Sequence, residues 1–116
     1  MREDIAMEWA DMLDSGIIKQ GKNLLENEGK YCCLGVLCRI VEKRVGLKVT
    51  EPIEKGRDVL FNDECAYLPA EVIDYTKMHS DDGTIPSRDI NLSLMNDNGK
   101  SFKQIAKIIR TNYKDL

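Results

Sequence analysis

Between Tyr31 and Cys38 the chain reads YCCLGVLC, and no charged residue interrupts it. A helix with one apolar stripe can lie on a surface, but a helix that is apolar all round has to be covered on every side. Charges return only from Arg39 onward, so the sequence predicts a helix over Tyr31–Arg44, closed by Gly46, at the centre of the fold. A chain of 116 residues can build one such core but not two.

The covering elements are read from spacing. Residues 2–15 form an amphipathic helix, with Ile5, Trp9, Met12 and Leu13 on one face, Glu3, Asp4, Glu8, Asp11 and Asp14 elsewhere, and Gly16 as its stop. Lys19–Asn27 is expected as a short second helix with Leu24 and Leu25 inward, ending near Gly29. Leu47–Glu51 and Arg57–Phe61 are β-prone runs around a Pro52–Gly56 connection, which predicts a hairpin. Pro69 opens a helix over Leu68–Met78, and residues 79–88 read as a loop. Ile90–Met95 is short and helical or irregular, followed by a turn at Asn96-Asp97-Asn98-Gly99. The last helix begins at Ser101, which stands three before Gln104 as in a capping box, and buries Phe102, Ile105, Ala106, Ile109 and Tyr113. The predicted class is α+β, a predominantly helical single domain with a central buried helix and a small β-hairpin.

Charge and motif spacing exclude several functions. A formal net charge of −3 does not suit broad coating of nucleic acid or anionic membrane. No apolar run approaches the roughly 20 residues that span a bilayer. The start, MREDIAMEWADML, carries acids where an export signal needs a basic start and an apolar centre, so the cytoplasm is the expected location. GIIKQGKN at Gly16–Asn23 ends in asparagine where a phosphate loop needs Ser or Thr, and LMNDNGKS at Leu94–Ser101 lacks the first glycine. The Asn/Asp cluster fails as a calcium loop, since Leu94 would hold its first ligand position. No nucleophile motif accompanies the sole histidine, His79. No catalytic residue and no cofactor is expected.

Trp9 followed by SGIIKQGKNLL, then YCCLGVLC, then LSLMNDNGKSFKQIAKII together resemble a family of small proteins of phages and prophages. The resemblance spans most of the chain apart from about residues 46–66. It implies a phage or mobile-element origin and a bacterial cytoplasm, and it attaches no catalytic mechanism. For a compact cytosolic domain of such origin, it suggests capture of a nucleotide-like immune signal.

Lys100, Lys103, Lys107, Arg110 and Lys114 recur every three or four residues and form a basic strip on the last helix. At its start, backbone N–H groups, the helix dipole and two lysines converge, which favours an anion. Lys100, Ser101 and Lys103 are therefore the first candidate ligand-binding residues, with Asn96 and Asp97 in the turn before them. Lys19, Gln20, Lys22 and Lys30 make a second polar group near the central helix, and Tyr31 or Trp9 could stack on a base. Trp9 lies on the apolar stripe of its helix, so from this group Gln20, Lys22 and Tyr31 are the candidates. The expected function is non-enzymatic binding of an anionic small molecule. The alternatives are a protein–protein inhibitor or accessory protein acting on a host factor, and weak nucleic-acid binding through the basic helix, with a homo-oligomer open as well.

The cysteines are the remaining feature. Cys32 and Cys33 are adjacent, Cys38 is more than a turn away and Cys65 is isolated, a spacing unlike the paired knuckles of structural zinc. There is no C-x-x-C. On a helix Cys32 and Cys33 point about 100° apart, which prevents both from clamping one ion unaided. A free cysteine is a small apolar residue, and beside Gly35 it lets neighbouring elements approach closely. These thiols are assigned to the core. In native protein Cys32, Cys33 and Cys38 should resist alkylation over hours and react within minutes in denaturant; mass spectrometry of the labelled chain reads the difference.

Overall fold

Among the residues described by the computed structural model (1–54, 56 and 58–116), five helices occur in chain order. They are α1 (Glu3–Asp14), α2 (Cys33–Val45), α3 (Ala70–Thr76), α4 (Leu92–Asp97) and α5 (Phe102–Asn112). Three antiparallel pairs of two-residue strands lie between them: β1 (Glu26–Asn27) with β2 (Lys30–Tyr31), β3 (Val49–Thr50) with β4 (Leu60–Phe61), and β5 (Thr84–Ile85) with β6 (Ile90–Asn91). The class is α+β and helix-dominated, as the pattern of apolar residues implied. No helix among the described residues is long and apolar enough to cross a membrane.

The centre is α2, in which every residue from Cys33 to Cys38 is buried. Gly46 ends it in the left-handed region at φ 70°, donating its N–H to Glu42 O. The helix starts two residues later than expected. Tyr31 is instead drawn into β2, opposite Glu26, and Cys32 is extended. On one side α1 lies along α5, burying Ile5, Ala6, Trp9, Ala10 and Leu13 on α1 and Phe102, Ile105, Ala106 and Ile109 on α5. Trp9 Nε1 donates to Cys33 O at 2.8 Å, so the indole N–H buried in the core has its partner. Helices α3 and α4 and the segment before β1 cover the other sides of α2.

Two expectations are corrected. Lys19–Asn27 is not a helix. Its backbone pairs elsewhere: Tyr31 N donates to Lys19 O, Gly21 N to Tyr31 O, and Leu25 N to Cys65 O. Asn23 sits at φ 68°, where a right-handed helix cannot continue. Of the two leucines only Leu25 is buried, while Leu24 is half-exposed. Asn96 and Asp97, in turn, are not in a turn but in the last turn of α4. The expected hairpin exists as β3–β4, although Arg57 at the head of its second strand and Lys55 in its connection lie outside the described residues. The 79–88 loop contains β5 and a 3-10 turn at Pro86–Arg88, so two further strand pairs join the predicted one. Pro69 stands just before α3, with Ala70 as its first residue.

Extended chain, not helix, crosses α2 at Leu25 because the approach is too close for a second helix. A Cβ placed on Gly35 would lie 1.7 Å from Leu25 O and 2.5 Å from Leu25 C, both backbone atoms. Only a residue without a side chain fits there. Gly35→Ala should therefore remove at least about 3 kcal/mol of stability or abolish folding, by the large penalty for overpacking against rigid backbone. Urea denaturation followed by circular dichroism measures it.

Candidate functional site

Four residues singled out in the sequence, two from each polar group, line a single hollow. Gln20, Lys22, Asn96 and Lys100, with Gly99, bound a space of about 290 Å³. One wall is the strand-like stretch Lys19–Gly21, held in a parallel bridge between Gln20 and Tyr31. The other is the connection from α4 to α5. There Asn98 N donates to Leu94 O, Lys100 N to Met95 O, and Gly99 turns the chain at φ 101°.

The floor is a network of side-chain amides. Asn96 is fully buried. Its Oδ1 accepts from Gln20 Nε2 at 2.9 Å and from Cys33 N at 3.2 Å, and its Nδ2 donates to Gly21 O at 2.8 Å and to Asp97 Oδ1 at 3.3 Å. Gln20 continues the network, with Nε2 donating to Lys100 O at 2.8 Å and Oε1 accepting from Phe102 N at 3.1 Å. Asp97 Oδ1 also accepts from Asn23 N at 2.8 Å. The starts of α2 and α5, the end of α4 and the extended segment are thus joined through two amide side chains. A satisfied buried network of this kind holds a single geometry, whereas one missing member leaves desolvated groups unpaired.

The remaining candidates separate. Ser101 Oγ accepts from Gln104 N at 3.2 Å and Gln104 Oε1 from Ser101 N at 2.9 Å, so the capping box is present. With Phe102 N bonded to Gln20, these first-turn donors already have acceptors within the chain. Lys103 points across to α1, 4.0 Å from Asp14. Arg110 binds Asp11 at 2.8 Å and Asp14 at 3.3 Å, so the basic strip of α5 faces acids of α1 along part of its length. Tyr31 is half-buried; burial first, and then the charge of Glu26, raise its phenol above the ordinary value, and Arg39 stands beside it as well. Its hydroxyl belongs to that charged group. Lys22 and Lys100 are both exposed and neither forms an ion pair among the described residues. The thiols lie elsewhere: burial pushes Cys32 up to about 11 and raises Cys33 and Cys38 as well, which keeps them as unreactive thiols.

A family model described as a domain of unknown function, DUF8296, matches residues 1–113. The chain belongs to the DUF8296 family. No curated protein and no solved structure matches it.

This DUF8296 chain also has a charged hub that the sequence pattern did not reveal. Arg39 clasps Glu26 through Nε at 2.7 Å and Nη2 at 3.0 Å, and reaches Glu42 at 3.3 Å and Glu51 at 3.1 Å. Its guanidinium lies 5.3 Å from the centre of the Phe61 ring. Only Glu42, three residues on, is a local signal; Glu26 and Glu51 come from segments that the fold brings in. The hub ties β1 and the β3–β4 hairpin to α2, and its residues do not line the hollow.

Asn96→Asp would place a carboxylate against two acceptors, Gly21 O and Asp97 Oδ1. The expected loss at neutral pH is about 2–4 kcal/mol, the scale for a buried group stripped of its donor role and charged. The folded state raises the new acid's pKa, so the loss is largest above that pKa and shrinks as pH falls through it, when the protonated form can donate to Gly21 O again. Urea titrations at several pH values test both size and sign.

Proposed function

We propose that this protein binds, without transforming it, a small anionic molecule of nucleotide-like chemistry in the hollow between Lys22 and Lys100. What supports this is the convergence of two lysines, unpaired among the described residues and from distant parts of the sequence, on one polar hollow whose walls are fixed by the Asn96–Gln20 network. A site already held in its final shape loses little entropy on binding. The ammonium groups supply charge, and the start of α5 adds the positive end of a helix dipole. The lining holds amides, lysines and a glycine, which suit recognition and offer no nucleophile–base pair. The volume, about 290 Å³, falls just below the usual range for small-molecule pockets and suits a small ligand.

Nucleic-acid binding along α5 is less favoured, because Arg110 and Lys103 already face Asp11 and Asp14. In a chain of phage origin, as the sequence motifs suggest, such a protein would serve to sequester a nucleotide signal of the host.

Calorimetry against mononucleotides, cyclic nucleotides and ADP-ribose derivatives should show heat with at least one member. Lys22→Ala and Lys100→Ala should each weaken that ligand about five- to tenfold, with thermal stability nearly unchanged because both side chains are exposed. Absence of heat with every member at high protein concentration contradicts the proposal.

A further inference from the structure

A second hollow, of about 220 Å³, shares Lys22 with the first and is lined by Gly21, Lys22, Leu24, Asn27, Glu28 and Lys30. Its distinctive member is Glu28. The residue occupies the two-residue turn between β1 and β2 with φ at 51°, followed by Gly29 at 76°. Tight turns of this form favour Asn, Asp or Gly at the first position, so turn geometry does not explain a glutamate there. Asn27 commits its Nδ2 to Gly56 O at 3.2 Å and Asp58 Oδ1 at 3.3 Å, whereas Glu28 has no hydrogen-bond or ion-pair partner among the described residues. Lys30 is likewise unpaired among them.

The two hollows together present unpaired ammonium groups around Lys22 and one unpaired carboxylate beyond it. An ionised carboxylate only accepts hydrogen bonds and repels an anion. Bare phosphate satisfies the lysines but leaves Glu28 unused. A complementary ligand has an anionic end and, at a distance from it, hydroxyl donors. Vicinal hydroxyls on a carboxylate are the pairing by which acidic side chains recognise ribose.

We propose that the ligand is a phosphate ester carrying a vicinal diol, a sugar phosphate or ribonucleotide, with its phosphate between Lys22 and Lys100 and its diol on Glu28. This rests on the anion-binding function proposed above and adds the polarity of the site: phosphate toward α5, sugar toward the β1–β2 turn.

The test is calorimetry on the full chain with four probes: inorganic phosphate, ribose 5-phosphate, AMP and 2′,3′-dideoxyadenosine 5′-monophosphate. Ribose 5-phosphate and AMP should bind more tightly than phosphate, and the dideoxy compound about tenfold more weakly than AMP, the effect of losing hydrogen bonds to a charged acceptor. Glu28→Gln should lower AMP affinity to that of the dideoxy compound and leave the dideoxy affinity unreduced. Ribose 5-phosphate binding as tightly as AMP identifies a sugar phosphate site; AMP binding more tightly identifies a nucleotide site. Equal binding of AMP and its dideoxy form, with no effect of Glu28→Gln, overturns the diol assignment while leaving anion binding intact. No binding of any probe removes the anion site itself. Circular dichroism of the variant, expected to match the parent because Glu28 is exposed, separates loss of contact from loss of fold.

Discussion

The carboxamide of Asn96 is the junction on which the rest of this structure depends. It is shut off from solvent and meets Gln20, the backbone of Gly21 and the first peptide N–H of α2 within one hydrogen-bonding shell. Water cannot replace Asn96 at the buried N–H of Cys33, so losing that bond carries the penalty for leaving a buried group unpaired, about 1–3 kcal/mol. An aliphatic side chain of similar size would fill the space but leave Gly21 O and Cys33 N without partners. The junction therefore sets the position of the extended segment, and with it Lys22, relative to Lys100.

Covering α2 on all sides creates the need for that junction. The packed core accounts for Cys33, Leu34, Val36, Leu37 and Cys38, and the Gly35–Leu25 contact brings a polar backbone within touching distance of an apolar helix. A backbone crossing so deep must find hydrogen-bond partners that are not its own neighbours. Cys65, Tyr31, the Asn96 amide and the Asp97 carboxylate supply them. At the surface the same economy of partners operates through charge: acids of α1 take Arg44, Arg110 and Lys103, and Arg39 gathers three glutamates. The lysines around the two hollows stand apart from these pairings.

What was legible in the sequence was whatever is decided locally. The apolar stripe of α1, the Ser101–Gln104 box, the stripe of α5 and the Gly46 stop all depend on residues within four positions of one another, and all are present, except that Tyr113 falls in the 3-10 turn after α5 and is only half-buried. The segment Lys19–Asn27 reads as helical in sequence but is not, because its conformation is set by distant backbone, at Tyr31 and Cys65, and by the missing side chain of Gly35. Asn96-Asp97-Asn98-Gly99 has the composition of a turn, yet α4 runs through Asn96 and Asp97 because their side chains find partners at Gly21 and Asn23 instead of in their own backbone. Gln20 and Lys22 could be chosen as polar residues near the core helix, and Asn96 and Lys100 as residues near a helix start. That all four border one space is a property of the tertiary fold alone.

Native-state hydrogen exchange tests this junction most directly. The N–H groups of Cys33 and Phe102, which donate to side-chain oxygens of Asn96 and Gln20, should exchange only through global unfolding, at the rate of interior α2 amides such as Val41. Exchange of Cys33 and Phe102 at rates typical of loop amides, with Val41 still protected, would show that the junction opens independently of the core and does not hold the fold together.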